Sequence, residues 1–146
     1  MAAYNKINQF VEDLAHGVHN LSTGALTIAL TTTANKPSAS ADAVLADITE
    51  IAYTNVVTTP NASRVTGLTS SGETSGTYKL VLPDMVITAT GGSVAAFGAI
   101  VLYNDTPTSP ANPLIAWWEY GSDVTLASTE TFTIDFDASG GVFTIA

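Results

Sequence analysis

The spacing of apolar residues changes from the helical to the strand period after residue 24, and this change limits the fold more than any other feature. Within residues 26–31, Leu or Ile alternates with Thr or Ala, which is the pattern of a half-buried strand. Similar runs rich in Thr, Val and Ile recur to the end of the chain at intervals of about ten residues. The predicted strands cover residues 26–31, 51–57, 63–69, 77–82, 85–90, 95–103, 114–120, 131–137 and 142–145.

Turn-forming residues separate these runs, and no alternation of strands with helices follows residue 24. Many short strands after a single helix predict a mainly β fold, either an antiparallel β-sandwich or a jelly-roll-like barrel. We expect one domain over residues 1–146, with the sandwich over about 24–146. The turns are predicted at residues 60–61, 71–72, 91–92, 106–107, 121–122 and 139–140.

The first segment has the spacing of an amphipathic helix, with apolar residues three and four positions apart. We predict one α-helix over about residues 4–20, with Asn5 as its cap, a last turn weakened by Gly17 and a polar face that includes Asp13. A helix of this length is marginal alone in water, so its apolar stripe must dock. The stripe consists of Ile7, Phe10, Val11, Leu14, Val18 and Leu21.

Two segments lack strand or helix patterns. Residues 31–44 contain few large apolar side chains and predict a long surface loop or arm. Residues 104–113 contain three prolines and predict a second loop.

The charge balance excludes several classes of partner. Four basic residues against thirteen acidic ones give a net charge of −9, so phosphate binding through counterion release has almost no cations to use.

No run approaches the roughly 20 apolar residues of a membrane-spanning helix. Glu12 and Asp13 interrupt the segment that would be apolar in a signal peptide, so synthesis in the cytoplasm without export is expected. With no cysteine, disulfides and thiolate chemistry are excluded.

The residues that could carry catalysis do not form a convincing set. His16 and His19 are close enough on the predicted helix to share a metal, but there is no third His and no Cys, so capping of the helix end is preferred. Residues 90–98 are glycine-rich but lack both G-x-S-x-G and the Gly-Lys of a phosphate loop. We expect no enzyme activity, no bound metal and no cofactor. Acidic residues that a fold could pair for glycoside chemistry are Asp84, Glu119 and Asp123.

The segment DFDASGG, residues 135–141, matches the start of a calcium-binding loop. The bidentate Glu that should follow eleven residues after Asp135 falls on Ala146, and no flanking helices are predicted. A strand followed by a turn is therefore preferred, and a weak surface calcium site at Asp135–Asp137 is the alternative.

The segment PLIAWWEYGSDV, residues 113–124, contains both tryptophans. On a strand, Trp118 and Tyr120 face one side while Trp117 and Glu119 face the other, so one tryptophan leaves the core side. Packing under the helix or against another subunit would cover it, and sugar stacking beside Glu119 is the alternative. The candidate interface residues are Phe10, Leu14, Trp117, Trp118 and Tyr120.

Four segments together resemble a group of small structural proteins of tailed bacteriophages, most similar to capsid decoration (cement) proteins. They are YNKINQFVEDLAHGVHNL, VLADITEIAY, SGTYKLVLPD and the ending from AIVLYN to VFTIA. The resemblance extends over nearly the whole chain and depends on the order of the segments.

The resemblance implies a non-enzymatic virion protein on the capsid surface that binds the major capsid protein and stabilises the shell. It also implies a homo-oligomer, with a trimer favoured over a dimer. The long loop, the proline-rich loop and the helix would be the arms that hold neighbouring subunits. A tail or head-completion component and a carbohydrate-binding β-sandwich for host recognition are the alternatives.

Overall fold

The computed structural model describes residues 2–22 and 25–146. These residues form ten strands in antiparallel sheets and one N-terminal α-helix, which confirms the mainly β prediction and is consistent with a β-sandwich. The elements are β1 Asn5–Lys6, α1 Gln9–Ala15, β2 Leu26–Thr31, β3 Val56–Thr59, β4 Ser70–Thr74, β5 Thr77–Val81, β6 Met85–Ala89, β7 Val94–Asn104, β8 Leu114–Leu126, β9 Thr131–Ile134 and β10 Phe143–Ile145, with short 3-10 helices at Thr33–Asn35, Leu45–Asp47 and Ala62–Arg64.

The strands form one large sheet, in the order β1-β8-β7-β2, and two three-stranded sheets, β10-β5-β4 and β3-β6-β9. Aromatic contacts join the layers: Phe97 of β7 meets Phe132 of β9 with ring centroids 5.2 Å apart, and Trp118 of β8 meets Phe136 at 5.7 Å. Every residue of β2 is buried. Because neighbouring side chains of a strand point to opposite faces, both faces of the large sheet must be covered there.

The second face is covered by the segment between β2 and β3. Leu114 N at the outer edge of β8 donates to Ala43 O (2.8 Å), and Ile51 N donates to Leu30 O at the outer edge of β2 (2.9 Å). Residues 43–51 therefore cross the sheet from one edge to the other. The predicted arm at residues 31–44 is instead tied to the sheet, because its backbone groups pair with the strand edges. Partly buried residues of the segment that pack on the core are Ala39, Leu45, Ile48, Ile51 and Tyr53.

The outer edge of β2 is closed by side chains and backbone of residues 51–66. Since an unpaired edge can pair with another chain, this closure protects the large sheet on that side. Its five hydrogen bonds run from Thr66 N to Leu26 O (2.8 Å), Thr66 Oγ1 to Leu26 O (3.1 Å), Arg64 Nε to Ile28 O (2.9 Å), Ile51 N to Leu30 O (2.9 Å) and Leu30 N to the Tyr53 hydroxyl (2.9 Å).

The predicted helix over residues 4–20 is wrong at its beginning and its end. Residues 5–6 form β1, which pairs with Trp117 and Ala116 of β8, and the residue at the N-cap is Asn8 rather than Asn5. Pairing with a strand edge satisfies these backbone groups, and this tertiary contact overrides the helical spacing. The helix ends at Ala15, before Gly17, whose φ of 73° is left-handed.

One predicted strand and one predicted turn are also wrong. Residues 63–69 do not form a strand, because Ser63 and Arg64 have left-handed φ values of 57° and 64°. The predicted turn at residues 71–72 lies inside β4, and the real turn is at Ser75–Gly76, with φ values of 54° and 84°. Two positive φ values are what a two-residue hairpin turn requires.

The predicted turn at residues 121–122 lies inside β8, which extends to Leu126. The strand continues because Val124 and Leu126 pair with Phe97 and Val94 of β7. The proline-rich loop prediction is confirmed, since residues 105–113 connect β7 to β8 outside any strand.

Candidate interaction surfaces

The five candidate interface residues do not share one surface. Phe10 is buried, Leu14 packs partly buried against the core, and Trp117 is 8% exposed. Phe10 and Trp117 are therefore core residues of the single chain, which corrects their assignment to an interface. Trp118 is partly exposed and Tyr120 is 60% exposed, so these two remain accessible.

The chain itself buries Trp117 and covers Trp118 in part. Trp117 shares a face of β8 with Glu119, and Glu119 binds Lys36 from the segment that crosses this face, with Nζ 2.8 Å from Oε2. Trp118 faces the other layer, where its ring lies 5.7 Å from Phe136 and 5.8 Å from Tyr4. Trp117 therefore needs no second subunit to leave water, whereas Trp118 keeps a partly exposed surface.

The sugar-stacking hypothesis requires an exposed tryptophan beside Glu119. Trp117, the tryptophan on that side, is buried, and the Glu119 carboxylate is held by Lys36. Trp118 is on the opposite face of the strand. The aromatic surface that carbohydrate recognition needs is therefore not assembled around Glu119.

The carboxylates considered for catalysis each bind a different part of the chain. Asp84 Oδ1 accepts from Phe136 N (2.9 Å), and Asp123 Oδ1 accepts from Thr33 N (2.7 Å). His16 is exposed, with Nδ1 3.8 Å from Glu12 Oε1, whereas His19 is buried. Among residues 2–22 and 25–146, no group of three or more His, Asp or Glu side chains could hold a metal ion.

The DFDASGG segment forms a strand end and a turn. β9 ends at Ile134, and Asp137 Oδ1 accepts from Ser139 N and Gly140 N, both at 2.8 Å. These two bonds to the charged form hold the pKa of Asp137 below its ordinary value. Asp137 thus forms an Asx-type turn through its Oδ1 oxygen.

The outer face of the β3-β6-β9 sheet is an array of uncharged β-branched side chains. Its first row is Val57, Thr88 and Thr131, paired across the three strands, and its second row is Thr59, Val86 and Thr133. We call these six residues the threonine–valine face. All six are exposed or partly exposed, and Val57 is one of the most exposed large apolar side chains of the described chain.

The threonine–valine face suits contact with another protein. It presents no formal charge in a chain of net charge −9. Its β-branched side chains have restricted rotamers, so little side-chain entropy is lost when they are covered. The alternation of Val and Thr is readable in the sequence, but the pairing that aligns three strands into one face is not.

A groove of about 350 Å³ lies beside the end of α1. Its apolar walls include Leu14, Leu21 and Ile145, and its polar walls include His19 and Tyr78, whose hydroxyl is 2.7 Å from Ser71 Oγ. None of its lining residues carries a formal charge while His19 is neutral.

A short chain of hydrogen bonds reaches the buried ring of His19. Thr106 N donates to Asn104 Oδ1 (3.1 Å), so the Asn104 amide turns its Nδ2 toward His19 Nδ1, at 3.4 Å. In this orientation Nδ1 accepts, while Nε2 is buried with no hydrogen-bond partner among the described residues. The ring is 6% exposed and lies 5.1 Å from the Phe10 ring. Burial lowers the pKa of His19, and the nearby Asp13 carboxylate opposes this shift.

Asp13 is 5% exposed, although the helical pattern places it on the polar face. Its Oδ1 accepts from Gln9 Nε2 (3.1 Å), while Oδ2 has no hydrogen-bond partner among the described residues. The sequence contained no signal for the burial of Asp13 and His19, because it depends on where the chain turns after Ala15.

Comparison with family models, with curated proteins and with solved structures found no match for the chain. The described residues include no helix that is both long and apolar enough to cross a membrane. The resemblance to phage structural proteins thus stays a prediction, and the function must be inferred from the surfaces.

Proposed function

We propose that this protein is a non-enzymatic structural component of a tailed-bacteriophage particle, which binds the outer capsid shell and stabilises it as a decoration protein. The observation that carries the proposal is the threonine–valine face. An uncharged and conformationally restricted sheet surface is suited to docking on a protein lattice.

The packing of the long segment adds support. A decoration protein must resist deformation together with the shell, and residues 32–55 are held at both edges of the large sheet instead of hanging free. The net charge of −9 disfavours contact with DNA. The major capsid protein is the proposed partner, and the virion surface is the proposed location.

The test is co-sedimentation of the purified protein with expanded capsid shells that lack their decoration protein. We expect saturable binding at a fixed ratio to the major capsid protein. Thr131→Asp should weaken this binding by about tenfold or more, because it puts an unpaired charge in the contact. Thr144→Asp makes the same change on exposed β10 and is the matched control.

Two results would contradict the proposal at different levels. If folded wild-type protein does not bind shells, the decoration function is wrong, and a tail or head-completion role becomes the better hypothesis. If the protein binds but Thr131→Asp and Thr144→Asp behave alike, the function stands and the threonine–valine face is not the contact.

A further inference from the structure

We propose that the edge of β4 is a self-association site, at which a second copy of this chain adds its own β4 in the antiparallel direction. The contact would join two β10-β5-β4 sheets into one six-stranded sheet across a twofold axis. This inference is independent of capsid binding.

The outer edges of the two edge strands β2 and β4 differ in how far the rest of the chain covers them. The outer edge of β2 is closed by five hydrogen bonds with residues 51–66. β4 is the terminal strand of its sheet, and all of its residues except Ser71 are exposed. Common devices that block an edge are proline, lysine and bulges, and residues 70–74 contain none of them.

The hairpin geometry shows which backbone groups face outward. Thr74 and Thr77 flank the two-residue turn, so they form the hydrogen-bonded pair next to it. Because pairing alternates along an antiparallel strand, the backbone N–H and C=O groups of Ser71 and Glu73 point to the open side. They are the groups that a second strand would bind.

A second copy of the chain fits this edge. With the twofold axis at Gly72, that glycine faces its own equivalent, and Ser71 lies opposite Glu73 of the second copy. No like charges stand directly opposite, and the Glu73 carboxylate is bonded to Gly76 N of its own turn. Since each chain carries a net charge of −9, an edge with a single acidic residue is a favourable place for two copies to approach.

Space at the axis is also available. A Cβ added at Gly72 would meet no atom within 4 Å in the single chain, and the φ of this glycine is not left-handed. Substitutions at this position therefore cause no steric clash at Cβ in the monomer, and a charged side chain there would also lie across from Lys79 of β5.

The first experiment uses the absence of cysteine in the chain. Residues facing each other across a non-hydrogen-bonded antiparallel pair have Cα atoms about 4.5 Å apart, within the range of a disulfide. Gly72→Cys should thus form a symmetric intermolecular disulfide under mild oxidation at least about tenfold faster than Thr144→Cys, which places the thiol on the opposite edge strand.

The second experiment exchanges charges at the axis and reads mass by analytical ultracentrifugation. Wild-type protein should shift from the 15.1 kDa monomer to a dimer as its concentration rises. Gly72→Asp and Gly72→Lys should each raise the dimer dissociation constant by about tenfold or more, since like charges would stand opposite each other. An equimolar mixture of the two variants should associate again, and Gly72→Ser should dimerise like wild type.

The proposal is overturned if wild-type protein stays monomeric at millimolar concentration and Gly72→Cys cross-links no faster than Thr144→Cys. A trimeric mass would also overturn it, because edge pairing about a twofold axis closes as a dimer. Equal dimerisation of Gly72→Asp and Gly72→Ser would move the contact to another surface.

Discussion

Lys36 Nζ lies 2.8 Å from Oε2 of Glu119 and bonds both carboxylate oxygens, joining residues 83 positions apart in the chain. The pair marks where the long segment between β2 and β3 is held over the face of β8 that contains Trp117. The ion pair and the buried tryptophan can be separated by mutation, because they stabilise the fold through different physical terms.

Glu119→Gln should change the free energy of unfolding by no more than about 1 kcal/mol, since the pair is partly exposed and screened by water. Trp117→Ala should cost about 3–5 kcal/mol, because it removes a large buried side chain. Urea denaturation measures both. If the two variants lost equal stability, Trp117 would not be a buried core residue.

The docking of α1 can be tested with two adjacent residues. Phe10→Asp should cost about 4 kcal/mol or more, because it buries an unpaired charge in the core. Val11 is 50% exposed and lies in the first turn of the helix, so Val11→Asp should change stability by about 0.5 kcal/mol at most. Equal effects in urea denaturation would mean that the helix does not present Phe10 to the core.

His19 should make the fold sensitive to mild acid. Its pKa is lowered in the folded state from an ordinary value of 6.5, so the unfolded chain binds more protons as the pH falls through this value. Stability is therefore complete above pH 6.5 and decreases below it. Melting temperatures between pH 7.5 and 5 should show this decrease in wild type.

The other histidine is the control for that experiment. His16 is exposed, so His16→Asn should keep the decrease, whereas His19→Asn should flatten it whatever its stability at neutral pH. Asp47 and Asp137 also have lowered pKa values, but their stabilisation is lost only below their ordinary value of 3.8, outside this range. A wild-type melting temperature that is constant across the range would contradict the neutral, buried state of His19.

The turn after β9 distinguishes a structural role of Asp137 from calcium binding. Asp137→Asn keeps a side-chain oxygen for Ser139 N and Gly140 N and should melt close to wild type, whereas Asp137→Ala should melt lower. EDTA and calcium should both leave the wild-type melting temperature unchanged. A rise with calcium that Asp137→Asn abolishes would restore the calcium-site hypothesis.

Several features of the fold follow from the sequence by itself. The alternation of apolar and polar residues predicted a mainly β, antiparallel fold, because a sheet that buries one face needs a period of two. The spacing of three and four residues in the first segment predicted one N-terminal helix. The chemistry of candidate sites was also readable, since the number of His, Cys and acidic residues limits metal binding and catalysis before any folding.

The tertiary structure alone decided which residues meet. Residues 5–6 read as helix but pair with β8, because a strand edge offers hydrogen bonds that local spacing does not record. Trp117 lies on the side of β8 away from the second layer, and only the path of residues 32–55 shows that the chain covers it. The threonine–valine face and the open edge of β4 are set by strand order and register, which depend on contacts between residues far apart in the chain and are therefore absent from any local pattern.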